Sequence, residues 1–491
     1  MIIDKTKKVA VIGSGIAGLA ISTRLAMKGY KVTVFEKNSH AGGKMSSLSI
    51  DGYRFDTGPS LFTMPNMVEE LFLIAGERLE DYLSYTKLDI ICKYFYSDGS
   101  VINSYSDKYL LALEIEKKTG EKKENVIEYL KKYAHLYNGT SKVFIHNSFH
   151  KWRNFLKEEY RDTLHYLSKL DAFSTMHDKN ANFFDNEKVV QLFDRYATYN
   201  GSNPYKAPAT LNMISHLEHN TGAFFPVNGM YSISESLLKL AGKKGVEIFF
   251  DAPVSKIHLK NKNAVGLEYN ERYFSFDYLV NNSDVGSFNQ LLGKQQKKTS
   301  PSHLSSSAII FYWGIKKTFS KLQVHNILFS KNYKEEFDHI FKKFTITDDP
   351  TVYIFISSKI VPGDAPPGCE NWFVMINVPN DNGQDWDRLI SKTRKDIIKK
   401  IRESFDIDIE PLIETEKWVT PPLIEESTGS FKGALYGKNS NGLFSAFNRH
   451  PNFLRKYKNI YFAGGSVHPG GGIPLCLASA EIVDKEFELC R

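Results

Sequence analysis

The first 36 residues contain the pattern that most restricts how this 491-residue chain can fold. A short β-type run at 8–12 leads into a glycine-rich segment at 13–18, and a helical pattern follows as far as Lys28. A second β-type run, at 31–35, ends at the acidic residue Glu36. The order of strand, glycine-rich turn, helix and strand predicts a parallel βαβ unit.

The spacing of the three glycines has a physical reason. Gly13 permits a tight turn, Gly15 lets the backbone approach a pyrophosphate, and Gly18 lets the helix pack closely on the strand. The N-terminus of the helix then faces the anion. Glu36 lies near the spacing of about 20 residues expected for an acid that binds an adenosine ribose. The segment therefore predicts a dinucleotide site.

A second pair of glycines distinguishes between dinucleotides. Gly42 and Gly43, followed by Lys44, come just after the acid and allow the backbone and a cation to approach the phosphates again, which favours FAD over NAD. These residues resemble the flavoprotein superfamily that includes amine oxidases and carotenoid desaturases. The resemblance implies an α/β chain with a Rossmann-type FAD-binding domain and a substrate domain made of a mixed sheet and helices.

Four further segments resemble the bacterial-type carotenoid desaturases. They are the strand and Gly-Pro turn at 53–65, the turn at 195–209, the loop at 428–437 and the glycine-rich loop at 459–474. Three short segments, at 322–327, 349–353 and 364–366, resemble the hydroxycarotenoid 3,4-desaturases and related bacterial members. The glycine-rich loop is followed by a helix predicted at 475–487. Such a helix N-terminus beside a flavin would stabilise the negative charge that develops on reduction.

The spacing and the resemblance together name the residues expected to bind FAD. Residues 58–61 are implied to run along the flavin ring, and the backbone of Val254 is implied to pair with the adenine. The predicted FAD-binding residues are Gly13, Ser14, Gly15, Ile16, Ala17, Gly18, Glu36, Lys37, Gly42, Gly43, Lys44, Gly58, Pro59, Ser60, Leu61, Val254, Gly464, Gly465, Ser466, Gly472, Ile473 and Pro474.

The expected domains are discontinuous. Residues 1–75, 225–290 and 440–491 are predicted to form the FAD-binding domain, and residues 76–224 and 291–439 the substrate domain. Strand-like runs at 305–314, 352–356 and 372–376 predict a mixed sheet that lines a pocket. The pattern at 124–170 predicts amphipathic helices.

Composition limits the partners. Lys and Arg total 63 against 56 Asp and Glu, and the resulting charge of +7 is interleaved along the chain, so nucleic-acid binding is not expected. Four cysteines without a CxxC pair predict neither a disulfide scaffold nor a zinc site, and favour a reducing compartment. No signal peptide and no apolar run of the ~20 residues that span a membrane are expected.

A membrane-surface location is predicted instead. Trp152 and Phe155, among Lys151, Arg153 and Lys157, could form an interfacial face, but a solvated helix face with its apolar side in the core is the favoured interpretation of this segment. The expected location is cytoplasmic and peripheral to the membrane.

The chain offers few catalytic candidates. No metal cluster, nucleophile elbow or second dinucleotide fingerprint is found, so a flavin is expected to perform the redox chemistry. Arg195 and His468 are the candidate catalytic side chains, although His468 in its glycine loop could simply orient the backbone. Asp194 precedes Arg195, but adjacent helical side chains point in different directions.

The resemblance implies desaturation of an acyclic carotenoid, at the 3,4 bond of a 1-hydroxylated end group. A phytoene or dehydrosqualene desaturase would share the same flavin motifs, and isomerases and retinol saturases use the same frame. A protein of another class, a prenyl-chain-binding escort without flavin chemistry, is also open, but the complete nucleotide pattern with Glu36 argues against it. Oxygen or a quinone could accept the electrons.

Overall fold

The computed structural model describes residues 6–148, 150, 163, 165–166, 169–295, 299–442 and 449–489. The helices are α1 (Ile16–Met27), α2 (Pro65–Ile74), α3 (Lys108–Thr119), α4 (Lys123–Phe144), α5 (Met176–Ala181), α6 (Glu187–Asp194), α7 (Ile214–His216), α8 (Tyr231–Lys243), α9 (Phe288–Leu291), α10 (Tyr333–Asp338), α11 (Trp386–Phe405), α12 (Pro421–Thr428) and α13 (Ile473–Leu489). The strands are β1 (Lys8–Ile12), β2 (Lys31–Phe35), β3 (Ser47–Ile50), β4 (Tyr53–Asp56), β5 (Phe62–Thr63), β6 (Tyr85–Lys87), β7 (Ile90–Phe95), β8 (Val101–Tyr105), β9 (Ala223–Pro226), β10 (Glu247–Phe249), β11 (Val254–Lys260), β12 (Asn263–Tyr269), β13 (Arg272–Ser275), β14 (Tyr278–Asn281), β15 (Ser307–Ile315), β16 (His325–Leu328), β17 (Val352–Phe355), β18 (Glu370–Val378), β19 (Ile413–Val419) and β20 (Ile460–Phe462).

A five-stranded parallel sheet organises the nucleotide half. Its order is β10-β2-β1-β14-β20, so the predicted βαβ unit is found with its strands at the predicted bounds. Ile12 is in register with Phe35 on one side and Asn281 on the other. The carboxyl ends of these strands meet at one edge, which is where ligands bind in sheets of this kind. The strands come from all three stretches assigned to the FAD-binding domain, whose exact boundaries stay a prediction.

A seven-stranded mixed sheet forms the other half, in the order β19-β15-β18-β17-β16-β7-β8. Because successive side chains of a strand point to opposite faces, β15 has two buried faces. Ile309, Phe311 and Trp313 share a core with Ile397 and Ile401 of α11. The alternate residues line a cavity, and they are Ala308, Ile310 and Tyr312. The predicted mixed sheet that lines a pocket is therefore confirmed.

Amphipathic helices were expected between residues 124 and 170, and α4 covers the first part of that stretch, Lys123–Phe144. Just beyond its end, the Asn147 side-chain amide donates to the carbonyl of Lys142 at 2.9 Å. Trp152 and Phe155 lie outside the described residues. The last helix begins at Ile473, two residues earlier than expected, because Pro474 fits the first turn of a helix.

In the described ranges, no helix combines the length and the apolar character needed to cross a bilayer.

Candidate functional site

A cavity of about 1300 Å³ lies between the carboxyl edge of the parallel sheet and the seven-stranded sheet. Most of the predicted FAD-binding residues line it, and both candidate catalytic residues, Arg195 and His468, do so too. The lining residues predicted from sequence are Gly13, Gly15, Ile16, Ala17, Glu36, Lys37, Gly42, Gly43, Lys44, Gly58, Pro59, Ser60, Leu61, Val254, Gly465, Ser466, Gly472, Ile473 and Pro474. One continuous space thus borders both halves of the molecule.

The glycine-rich turn after β1 is packed too tightly for side chains. A Cβ atom on Gly18 would lie 2.2 Å from the Gly13 carbonyl oxygen and 2.6 Å from Oδ1 of Asn282. Gly13 has a φ of +94°, a conformation that favours glycine. The turn ends at the start of α1, whose first turn contains no acidic residue. Its N-terminus therefore keeps a positive end toward the cavity.

Glu36 stands at the end of β2 and is 4% exposed. Its Oε2 accepts hydrogen bonds from the backbone N–H and the hydroxyl of Ser14, both at 2.8 Å, and Oε1 accepts from the N–H of Asn38 at 3.0 Å. The carboxylate is thus held against the glycine turn while the residue still lines the cavity. This placement suits an acid that binds a ribose hydroxyl.

The second glycine pair packs directly on the first turn. The N–H of Gly42 donates to the carbonyl of Ser14 at 2.9 Å. A Cβ atom on Gly42 would lie 2.0 Å from the Met45 carbonyl oxygen, and one on Gly58 would lie 1.9 Å from that of Lys44. Three glycine segments are therefore stacked side by side, and the backbone forms the wall of the cavity there.

Lys44 supplies a buried cation beside this wall. Burial lowers the pKa of its ammonium, while the nearby carboxyl of Asp284 opposes that shift. The ammonium donates to the carbonyl of Leu435. Burial likewise raises the pKa of Asp284, against the charge of Lys44. The two residues line the same part of the cavity.

The C-terminal loop closes the cradle. The side-chain amide of Asn282 donates to the carbonyl of Ala463 at 2.8 Å, and a Cβ atom on Gly464 would lie 2.9 Å from that amide nitrogen. Helix α13 follows, with no acid in its first turn. Two helix N-termini, a buried cation and a side-chain-free cradle fit a dinucleotide with an anionic pyrophosphate and a flavin ring.

A buried polar cluster occupies the substrate side. Arg195 is 8% exposed, and its Nη2 lies 3.3 Å from Oε2 of the fully buried Glu218. The guanidinium also stacks over the rings of Tyr94, Tyr196 and Tyr199, with centroid distances of 5.3, 4.6 and 5.3 Å. Tyr196 and Tyr199 donate to the same carboxylate. The three tyrosine rings stabilise the positive charge of the guanidinium through cation–π interactions.

The family follows from a comparison with known proteins. The model of the family described as flavin containing amine oxidoreductase matches residues 16–483. The chain belongs to this family. It is 46% identical to the 1-hydroxycarotenoid 3,4-desaturase of Flavobacterium sp. (strain P99-3), over 97% of this chain and 98% of that protein. It is 31% identical to the 4,4'-diapolycopene oxygenase of Methylomonas sp., over 98% of each chain.

Solved structures agree on the fold. An oxidoreductase from Methanosarcina mazei superposes with a TM-score of 0.62 at 15% identity, over 97% of this chain and all of the other. The expectation of a flavoprotein oxidoreductase related to carotenoid desaturases is confirmed, as is the mixed α/β fold. In the part of the chain that the structure describes, no group of three or more His, Cys, Asp or Glu side chains could hold a metal ion.

Three predicted FAD-binding residues do not line the cavity. Ser14 is buried and anchors Glu36, whereas Gly18 and Gly464 permit close packing around Asn282. Asn282 and Asp284 line the cavity but are not among the residues predicted from the sequence. Their position in the sequence could have predicted this, because both residues follow a strand of the parallel sheet, and the carboxyl ends of such strands meet at one edge.

The two catalytic candidates differ in their surroundings. Nε2 of His468 donates to the backbone carbonyl of Asn147 at 2.9 Å, and burial lowers the pKa of the imidazole to about 3. These contacts fit a role in orienting the loop. The Asp194 carboxylate contacts His177 and Asn180 at 2.7 and 2.8 Å, away from Arg195, as expected for adjacent helical residues. Catalysis by Arg195 or His468 stays a prediction.

Proposed function

We propose that this protein is an FAD-dependent desaturase that forms the 3,4 C=C bond of an acyclic, 1-hydroxylated carotenoid. One structural observation carries the proposal: a single cavity is bordered by a dinucleotide cradle on one side and by an apolar sheet face on the other. The 46% identity to a 1-hydroxycarotenoid 3,4-desaturase supports the choice of bond. FAD is favoured over other flavins because Glu36 and the glycine turn suit the adenosine half.

The reaction removes one hydrogen from C3 and one from C4, one as a hydride and one as a proton. A bound flavin supplies the acceptor for the hydride and its two electrons. Because a cation that develops next to the polyene is delocalised along it, the protein needs only a weak base or a water for the proton. This explains how the cavity can work with few acid–base groups.

The chain's own residues provide orientation and electrostatics. Lys44 and the N-terminus of α13 line the cavity, and their positive charge would stabilise the negative charge that a bound flavin gains on reduction. The apolar residues Ile310, Ile327 and Phe373, on three strands of the mixed sheet, line the cavity and exclude water from a polyene chain. The residues that hold FAD are those of the cradle, led by Glu36, Gly42 and Lys44.

A location on the cytoplasmic surface of a membrane is part of the proposal, as is oxygen or a quinone as the final electron acceptor. The substrate dissolves in lipid and not in water, so an enzyme that lies on the bilayer has direct access to it. Phe173 supports this position, because it lines the cavity and is 86% exposed.

Product analysis tests the function. Purified protein with FAD is incubated in air with liposomes that contain a 1-hydroxylated acyclic carotenoid or, separately, phytoene. The expected result is a product of the hydroxylated carotenoid that is lighter by two hydrogens and absorbs at longer wavelength. Reaction with phytoene alone would instead indicate an early-pathway desaturase. Tight FAD binding without any reaction of either carotenoid would contradict the proposal, and no FAD binding would favour the escort protein.

A further inference from the structure

A row of three polar side chains crosses the cavity wall beside the cofactor cradle. The hydroxyl of Ser60 lies 2.6 Å from that of Tyr353, which in turn lies 2.8 Å from Nδ1 of His325. Ser60 belongs to the segment predicted to run along the flavin ring, whereas Tyr353 and His325 are diagonal neighbours on the paired strands β17 and β16, where His325 lies opposite Phe355. All three line the cavity. The row therefore leads from the flavin side into the substrate side.

His325 has an unused hydrogen-bonding atom at the end of this row. The residue is 3% exposed, and its Nε2 has no hydrogen-bond partner among the residues that the structure describes. Its ring lies nearly parallel to those of Phe355 and Tyr353, with interplanar angles of 13° and 12°. A buried nitrogen without a hydrogen-bond partner destabilises the folded protein. Such an atom in a binding cavity is a candidate for contact with the ligand.

The imidazole is neutral in this setting. Burial, together with the positive charge of Arg195, lowers the pKa of His325 to about 3. If Tyr353 donates its proton to Nδ1, then Nε2 carries a hydrogen and donates. If Tyr353 donates to Ser60, then Nδ1 donates to Tyr353 and Nε2 accepts. A hydroxyl group can serve either state, because it both donates and accepts.

The position of this atom matches the chemistry of the proposed reaction. We propose that Nε2 of His325 binds the tertiary hydroxyl of the carotenoid end group, and that Tyr353 positions the ring for this contact. The inference rests on the proposed function. The hydroxyl-bearing carbon C1 is only two bonds of about 1.5 Å from C3, so the group that binds the hydroxyl must lie close to the reacting bond. Ser60, in the segment predicted to run along the flavin ring, contacts Tyr353 and so places the row of polar side chains near the reacting bond.

This contact would give the enzyme its selectivity. An end group without the hydroxyl would leave Nε2 buried and unpaired against an alkyl chain, whereas the hydroxylated end group satisfies it. Sites built to bind a hydroxyl reject analogues that lack it far more strongly than apolar pockets reject an extra group. His325 and Tyr353 are thus specificity-determining residues, and the flavin cradle is not involved in this choice.

Two variants of the FAD-loaded enzyme test the inference. His325→Phe keeps a ring that can stack on Phe355 but removes both nitrogens, and Tyr353→Phe removes only the hydroxyl that orients His325. The substrates are the 1-hydroxylated carotenoid and the same carotenoid without its hydroxyl. We expect His325→Phe to lower kcat/KM for the hydroxylated substrate about 10- to 100-fold, with a change below about threefold for the other. Tyr353→Phe should give a smaller change in the same direction.

A second readout does not depend on turnover. The desaturated product keeps its hydroxyl, so its affinity, measured by quenching of tryptophan fluorescence, should fall by a similar factor in His325→Phe. His303→Phe, at an exposed histidine outside the cavity, is the matched control and should change neither value.

The outcomes separate the two proposals. If the wild-type enzyme does not prefer the hydroxylated carotenoid, the proposed function fails and the inference fails with it. If the wild-type enzyme has this preference and both variants retain it, only the inference is overturned. If His325→Phe does not fold, Tyr353→Phe alone decides: an unchanged ratio of the two kcat/KM values contradicts the role of the row.

Discussion

The nucleotide edge and the mixed sheet border the same cavity, but they are built in different ways. At the edge, the wall is backbone, brought close by Gly18, Gly42 and Gly58, where a Cβ atom would lie within 2.2 Å of a carbonyl oxygen. On the substrate side, the wall consists of side chains, among them the buried Arg195, which is ion-paired with Glu218. The cofactor side depends on the absence of side chains, and the substrate side depends on their identity.

The largest expected effect is on the substrate side. Arg195→Met leaves the Glu218 carboxylate fully buried without its cation, so we expect the free energy of unfolding to fall by about 3–5 kcal/mol. Urea unfolding followed by circular dichroism measures it. The double variant Arg195→Met, Glu218→Gln should recover most of the loss. An equal loss in both variants would show that the unpaired charge of Glu218 is not the cause of the destabilisation.

The cofactor side should respond to an added methyl group. Gly18→Ala places a carbon 2.2 Å from the Gly13 carbonyl oxygen, so we expect a loss of unfolding free energy of about 3 kcal/mol and weaker FAD binding. Gly242→Ala, in helix α8 with open space around its Cβ position, is the matched control and should stabilise the protein by up to about 1 kcal/mol. Equal effects of the two substitutions would contradict the tight packing of the turn.

Acidification should distinguish a buried histidine from an exposed one. The pKa of His468 is lowered to about 3, so between the ordinary value of 6.5 and that value only the unfolded chain binds the proton. The free energy of unfolding therefore falls as pH decreases, by about 1.4 kcal/mol per pH unit for this residue. In His468→Gln, the decrease between pH 6.5 and 5 should be smaller by about 2 kcal/mol.

Chemical unfolding at the two pH values provides this test. His303→Gln, at an exposed histidine, is the control and should leave the decrease unchanged. A decrease that is the same in His468→Gln and in the wild type would mean that His468 is not held neutral in the folded protein.

The smallest effect is expected at Glu36, the acid proposed to bind the ribose of FAD. Glu36→Gln keeps an acceptor for Ser14 but removes the charge, so we expect the Kd for FAD to rise about tenfold with little change in stability. Fluorescence titration of the flavin measures the Kd. Glu247→Gln, at an exposed acid on the neighbouring strand β10, should bind FAD like the wild type. An unchanged Kd in Glu36→Gln would remove Glu36 from the ribose site.

The difference between the two regions also explains what the sequence could predict. The strands Lys8–Ile12 and Lys31–Phe35 were predicted at their observed bounds, because the turn, helix and acid are contiguous and their spacing has one physical meaning. Where the backbone forms the binding site, the glycines that it requires are close together in the sequence, so the site can be predicted from a local motif.

The side chains that line the substrate side of the cavity are not marked by any local sequence motif. His325 and Tyr353 meet only because β16 pairs with β17, and Asn282 reaches Gly18 only because β14 lies beside β1. No local pattern states these pairings. The end of α4 at Phe144 was not predicted for a related reason: periodicity does not show that the Asn147 side chain donates to the carbonyl of Lys142.

The most direct test of the central claim, that flavin and carotenoid react in one cavity, is a single-turnover measurement without oxygen. The FAD-loaded protein is mixed anaerobically with liposomes that contain the 1-hydroxylated carotenoid, and flavin bleaching and polyene absorption are recorded together. We expect one flavin to be reduced for each double bond formed, with both changes at the same rate. Polyene conversion with the flavin still oxidised, or no change in either signal, would contradict it.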